Sequence, residues 1–201
     1  CACLVGSEMC IRDSYRKVAT ALKGAPVIIR TLDVGGDKEI PYLHMEKEEN
    51  PFMGFRAVRY CLENADQYKV QLRALLRAGA FGDVKIMVPL VTCVEEVRAV
   101  KALVEECKAE LEAEGLKYDE NIEVGVMMET PAASLIADKL AEEADFFSIG
   151  TNDLIGYTMC ADRGNDHISN LYQVYYPSVL RSIKNIIESG VKAGIMVGMC
   201  G

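Results

Sequence analysis

The sequence predicts an α/β domain built on a parallel sheet. Five short, mostly apolar runs recur along the 201 residues, each the length of a buried strand. The stretches between them carry helical spacing and helix-start signals. Half of the residues are hydrophobic and 26% are charged, enough apolar side chain to fill a core and too much for a disordered tail.

The strands are expected at Val27–Leu32, Lys85–Leu90, Glu123–Glu129, Phe146–Thr151 and Ile195–Cys200. The runs are mostly apolar, which suits strands covered on both faces. Ala65–Ala78 reads as a helix followed by Gly79. Thr92-Cys93-Val94-Glu95 fits a capping box, a hydroxyl followed three residues later by a glutamate. Behind it, Val94, Val97, Val100, Val104, Cys107 and Leu111 fall three or four apart and form an apolar stripe, and Gly115 is placed to end the helix. Thr130-Pro131 and Tyr176-Pro177 start two more helices with proline in the first turn. The second carries Val179, Leu180, Ile183, Ile186 and Ile187.

Strands alternating with helices imply right-handed crossovers. An open doubly wound sheet and a (β/α)8 barrel both fit. No G-x-G-x-x-G and no G-x-x-x-x-G-K-[ST] is present, so nucleotide-type doubly wound folds lose support. Five strands are too few for a full barrel of about eight, so a barrel would be a partial one.

Composition narrows the function classes. Lys plus Arg is 22 and Asp plus Glu is 30, a formal charge of −8. An acidic chain is a poor general binder of nucleic acid. No uncharged apolar run approaches the ~18 residues of a spanning helix, so no membrane partner is expected. Residues 1–14, CACLVGSEMCIRDS, show no period and no signal-peptide pattern. They read as translated sequencing adapter or a cloning scar, leaving 15–201 as the domain. Beyond them Cys61, Cys93, Cys107, Cys160 and Cys200 are widely spaced and form no C-x-x-C pair. That speaks against a zinc site or disulfide framework and suits a reducing cytoplasm. Each is first read as a small buried hydrophobe. His44 is read as a loop residue and His167 as a helix or loop residue, with no metal pair between them.

Polar residues gather where the predicted strands end: Arg30 and Asp33, Glu129, Asn152 and Asp153, and Cys200. In a parallel barrel these ends share the face that carries active sites. Glu129 and Asp153 follow neighbouring strands and together suit a hard divalent ion, which takes one or two carboxylates plus substrate oxygens. The alternative is that Glu129 caps the next helix and Asp153 opens a polar loop. Arg56 and Arg163 lie in loops rich in Gly, Pro or Asn. With Arg30 they suit a small anionic substrate, because guanidinium forks match carboxylate and phosphate. The alternative there is a plain Arg30–Asp33 or Asp162–Arg163 ion pair. Cys200, between glycines, suits a general acid, or else an inert buried thiol.

Six motifs in order carry a resemblance: RTLDVGGDK (30–38), EENPFMGFRAVR (48–59), GVMMETPAA (125–133), DFFSIGTNDL (145–154), ADRGND (161–166) and GMCG (198–201). From about Tyr15 onward the chain resembles enzyme I of the phosphoenolpyruvate-dependent sugar phosphotransferase system; residues 1–14 match nothing there. The resemblance implies a partial (β/α)8 barrel of the phosphoenolpyruvate/pyruvate-binding type, with about five of the eight βα units. It implies that Arg30, Arg56 and Arg163 grip phosphate and carboxylate, that Asn152 contacts the phosphate, that Glu129 and Asp153 ligate Mg²⁺, and that Cys200 protonates the enolate to give pyruvate. It further implies phosphoryl transfer through a histidine on another domain to the phosphocarrier HPr, a homodimer at full length, and a cytoplasmic protein. The fragment by itself is expected to be inactive. A dikinase- or synthase-type barrel, a non-catalytic phosphoenolpyruvate sensor, and more weakly a metal-dependent lyase are the competing readings.

Overall fold

The computed structural model describes residues 7–22, 24–34 and 48–200. The first helix, α1, runs Glu8–Ala21, followed by β1 (Val27–Arg30), a short 3-10 turn (Pro51–Met53), α2 (Val58–Glu63), α3 (Ala65–Gly79) and β2 (Val84–Val88). Next come α4 (Val94–Ala113), β3 (Val124–Met128), α5 (Pro131–Leu135), α6 (Ala137–Leu140), β4 (Phe146–Gly150) and α7 (Thr151–Met159). A second 3-10 turn (Asp166–Leu171), α8 (Pro177–Ala193) and β5 (Met196–Cys200) complete the order.

The five strands stand in the order β1-β2-β3-β4-β5, and β1–β2, β3–β4 and β4–β5 pair in parallel. Sequential order without a reversal is that of successive barrel units, not of a doubly wound sheet, whose order turns back at a switch point. The fold is therefore α/β, a partial TIM-type barrel. Every residue of β3 and β4 is buried, as continuous apolar runs require. That expectation fails at the ends of the strand order: β5 is exposed or half-exposed throughout and β1 is mixed, because a terminal strand has one neighbour rather than two.

The chain divides into two compact units, 1–87 with 99–124, and 88–98 with 125–201. In the first, α1 covers residues expected to have no element. Ile11 and Ala19 are buried, and Glu8 takes ion pairs from Arg73 (2.7 Å) and Arg77 (2.6 Å) of α3. Burial pushes the Glu8 carboxyl up, but the two guanidinium groups outweigh that and hold it below its ordinary value. The α4 stripe is buried from Val97 to Leu111, and Gly115 ends the helix at φ +67°, with the Leu116 N–H donating to the Leu111 carbonyl. Its start differs from expectation by one residue. The helix begins at Val94, so Glu96 rather than Glu95 reaches back, accepting from the Thr92 and Cys93 amides at 2.6 and 3.2 Å.

In the second unit, α8 buries Val179, Ile183 and Ile186 but leaves Leu180 and Ile187 exposed, a narrower stripe than predicted. Gly194, at φ +76°, closes it. Of the cysteines expected to be buried, Cys61 and Cys107 are; Cys93 is half-buried and Cys160 is exposed at the left-handed end of α7. His167 lies in the second 3-10 turn, while His44 is outside the described residues.

Candidate functional site

Strand register decides which side chains share a face. In the second unit Met127 pairs with Ser148, Ser148 with Gly198, and Gly150 with Cys200. Phe147 and Val197, of the opposite parity, pack toward Gly190 of α8. The set Met127, Ser148, Gly150, Gly198 and Cys200 therefore lies on the sheet face turned away from that helix. Its floor is the Phe146 ring, which covers Gly125 so closely that a Cβ there would fall 2.5 Å from ring carbons. Toward the strand C-terminal ends the face is lined by Glu129, Gly150 and Cys200.

Glu129, 2% exposed, directly follows β3. One oxygen accepts from the Leu90 amide at 2.7 Å, and Leu90 itself sits at φ +57°, an uncommon conformation for a branched side chain. The other oxygen lies against Gly150, 2.8 Å from where a Cβ would stand. Glu129 does not cap α5. Thr130 does, accepting from the Ala133 amide at 3.0 Å while its hydroxyl donates to the Val91 carbonyl at 2.7 Å. The glutamate is thus held by contacts unrelated to capping.

Gly150 is also the residue before α7. Asn152 and Asp153 sit in the first turn of that helix, where backbone N–H groups favour a carboxylate. Asp153 therefore opens no loop, as one alternative had it. The sequence reading missed α7 because its polar start looks like a turn. Thr151 donates to the Cys200 carbonyl at 3.4 Å, and the Ser148 hydroxyl lies 3.7 Å from the Cys200 thiol. The Cys200 side chain is exposed. The Tyr172 hydroxyl donates to the Asn152 carbonyl at 2.8 Å. Arg163 is exposed in the turn between them, where the Asp162 carboxylate accepts from the Gly164 amide at 2.8 Å. The Tyr172 phenol is pushed up by burial, with Arg163 pulling it down and Asp153 pushing it up, so both charges lie within its electrostatic reach.

In the first unit Asp33, with a side chain 4% exposed, accepts from Arg56 at 2.8 and 3.2 Å, and its second oxygen lies 3.4 Å from Arg30. Arg56 is buried and Arg30 is part-exposed. The Arg30–Asp33 pair raised as an alternative is present, but the carboxylate is shared by both arginines. Two guanidinium groups thus meet on one carboxylate at the end of β1. The segment bearing Asp33 is fixed: the Leu32 amide donates to Gln71 at 2.9 Å, and the Tyr68 hydroxyl donates to Thr31 at 3.3 Å.

Sequence reasoning missed Ser148, Thr151 and Tyr172. The alternation in FFSIGT would have put Ser148 and Gly150 on one face. Nothing local marks Tyr172. Among the described residues no group of three or more His, Cys, Asp or Glu side chains is arranged to hold a metal ion. Two carboxylates remain at the β3 and β4 ends. That donor set suits Mg²⁺, which binds through few protein oxygens and keeps water and substrate for the rest.

A family model described as "PEP-utilising enzyme, PEP-binding domain" matches residues 6–201. The chain is 54% identical over 188 residues to the phosphoenolpyruvate-protein phosphotransferase of Priestia megaterium, and 52% identical over 189 residues to that of Bacillus subtilis (strain 168). Each match takes in 94% of this chain and 33% of the relative, so the chain spans about a third of their length. A citrate lyase crystal structure from Burkholderia xenovorans LB400 superposes with a TM-score of 0.59 at 17% identity, over 97% of this chain and 61% of that one. At that identity the likeness speaks for the fold.

Proposed function

Because the chain belongs to the PEP-utilising enzyme, PEP-binding domain family, we propose that it binds phosphoenolpyruvate and performs the phosphoenolpyruvate-cleaving step of a phosphoenolpyruvate-protein phosphotransferase. The observation that carries the reading is the meeting at Gly150: Glu129 rests on it, Cys200 pairs with it, and Asn152 and Asp153 follow it in the first turn of α7. A carboxylate, a thiol and a helix N-terminus on one glycine suit a small polyanion and its counter-ion.

In this reading Arg30, Arg56 and Arg163 neutralise the phosphate and carboxylate, and Asn152 donates to a phosphate oxygen. Glu129 and Asp153 would hold Mg²⁺, which when bound draws charge from the phosphate oxygens. The P–O bond to the enol oxygen breaks and the phosphoryl group passes to an acceptor histidine nitrogen. The enolate's methylene carbon takes the Cys200 proton, giving pyruvate, and the thiolate recovers a proton from water. Phosphoryl transfer is mostly positioning and charge neutralisation, which the three arginines would supply. The histidine would lie on another domain, with HPr as the next acceptor, in a cytoplasmic homodimer. Among the described residues no helix is long and apolar enough to cross a membrane.

The test is a chimaera in which this chain replaces the matching third of the Bacillus subtilis relative. Glu129→Gln or Asp153→Asn should lower phosphoenolpyruvate-dependent autophosphorylation by at least ~10²-fold, the scale of losing a main charge-stabilising group. Activity near that of the parent chimaera would overturn the metal assignment. Cys200→Ala should stop pyruvate release while phosphoenolpyruvate still binds; lost binding would make the thiol structural.

A further inference from the structure

We propose that Tyr172 is a positioning residue whose hydroxyl clasps the Arg163 turn to the first turn of α7; the proposal rests on the reading of Arg163 and Asn152 as substrate contacts. The segment leaving α7 doubles back over residues 161–171. It is internally bonded: Ala161 to the Gly156 carbonyl at 3.0 Å, Asn165 to the Asp162 carbonyl at 3.1 Å, His167 to the Asn165 side chain at 3.0 Å, and Tyr172 to the Ser169 carbonyl at 3.1 Å. Such a segment moves as a piece, so what ties it to its neighbour sets where Arg163 stands. The Tyr172 hydroxyl is such a tie. It donates to the Asn152 carbonyl at 2.8 Å and lies 3.4 Å from the Asn152 side-chain oxygen. The phenol's electrostatic neighbours are Arg163 and Asp153. One hydroxyl thus holds the residue assigned to phosphate contact, beside one assigned to the cation, in register with an exposed arginine. Arg163 is exposed on that turn; fixing the turn's backbone lowers the ordering cost of binding an anion there.

Tyr172→Phe removes the hydroxyl and keeps the ring. In the 201-residue chain without ligand, hydrogen exchange of the Ala161, Asn165 and His167 amides should quicken several-fold; unchanged exchange overturns the clasp. With Mg²⁺ present, the Kd for phosphoenolpyruvate should rise about fivefold, the effect of one lost hydrogen bond. In an Arg163→Ala background the same substitution should change Kd less than twofold, because the two act as one unit. A fivefold loss in both backgrounds overturns the proposal while leaving the substrate reading intact. If Arg163→Ala alone binds phosphoenolpyruvate as tightly as the parent, the substrate reading of Arg163 fails, and the proposal with it.

Discussion

Gly150 and Gly125 carry the same side chain for different reasons. Gly150 has φ −88°, which any residue adopts, so what it supplies is room for Glu129. A methyl there would stand 2.8 Å from the carboxylate oxygen and 2.9 Å from the Glu129 Cβ, and something must shift. Gly150→Ala should therefore weaken Mg²⁺-dependent phosphoenolpyruvate binding about tenfold or more, read by titration calorimetry, since overpacking costs roughly 1–3 kcal/mol. Gly125→Ala meets the Phe146 ring instead. It should cost a similar ~1–3 kcal/mol of stability in denaturant melts and leave ligand affinity nearly unchanged. Cysteine reactivity separates by the same residue-level physics. Burial pushes the Cys61 and Cys107 thiols up to about 12, with Asp33 adding to the first and Glu110 to the second. Iodoacetamide at pH 8 should label the exposed Cys160 and Cys200 and spare those two, because the thiolate is the reactive form. Labelling of Cys61 in the folded protein would contradict its burial.

At the scale of elements, helix starts place the site. Thr130 both caps α5 and ties it to the Val91 carbonyl, so the residue after Glu129 is fixed at both its side-chain bonds. Thr130→Ala should cost about 1 kcal/mol from the cap, and more if the Val91 carbonyl finds no water. Helices α3 and α4 are joined by charge: Lys69 reaches Glu106 and Glu110, and Arg73 reaches Glu110 and Glu114. The hydrogen bond from Lys69, ahead of that from Arg73, holds the Glu110 carboxyl below its ordinary 4.5. A lowered folded-state value means that the stabilisation is present above 4.5 and fades as pH falls through the folded value. Since Glu110 is well exposed, the contribution is small. The melting temperature of the parent should nevertheless drop more between pH 5 and pH 3 than that of Glu110→Gln; equal drops would show the pairs to be screened out.

The whole chain carries a net charge of −8, yet its proposed substrate is an anion. Charge is distributed unevenly: two arginines meet Asp33 at the end of β1, and Asp153 lies in an N-terminal helical turn. The proposed division of labour, with the acceptor histidine elsewhere, makes a prediction at this scale. Phosphoenolpyruvate and Mg²⁺ should leave no phosphohistidine on the 201-residue chain, by acid-labile ³²P, whereas the chimaera should acquire it. Residues 1–14 carry none of the six motifs, but α1 begins at Glu8 and buries Ile11. Removing residues 1–13 should therefore lower the melting temperature without changing phosphoenolpyruvate affinity.

The alternation of strands and helices is written in local pattern, because each strand is a mostly apolar run and each long helix repeats its apolar residues every three or four positions. The same pattern puts acids, arginines and a thiol after strands. What those groups touch depends on packing between distant segments. Glu129 meets Leu90 from 39 residues away, Arg56 meets Asp33 from 23, and Tyr172 meets Asn152 from 20. Each of these distances along the chain exceeds the period of any local pattern. Strand register and packed helices close them, so partners of this kind become visible only when the sheet has formed.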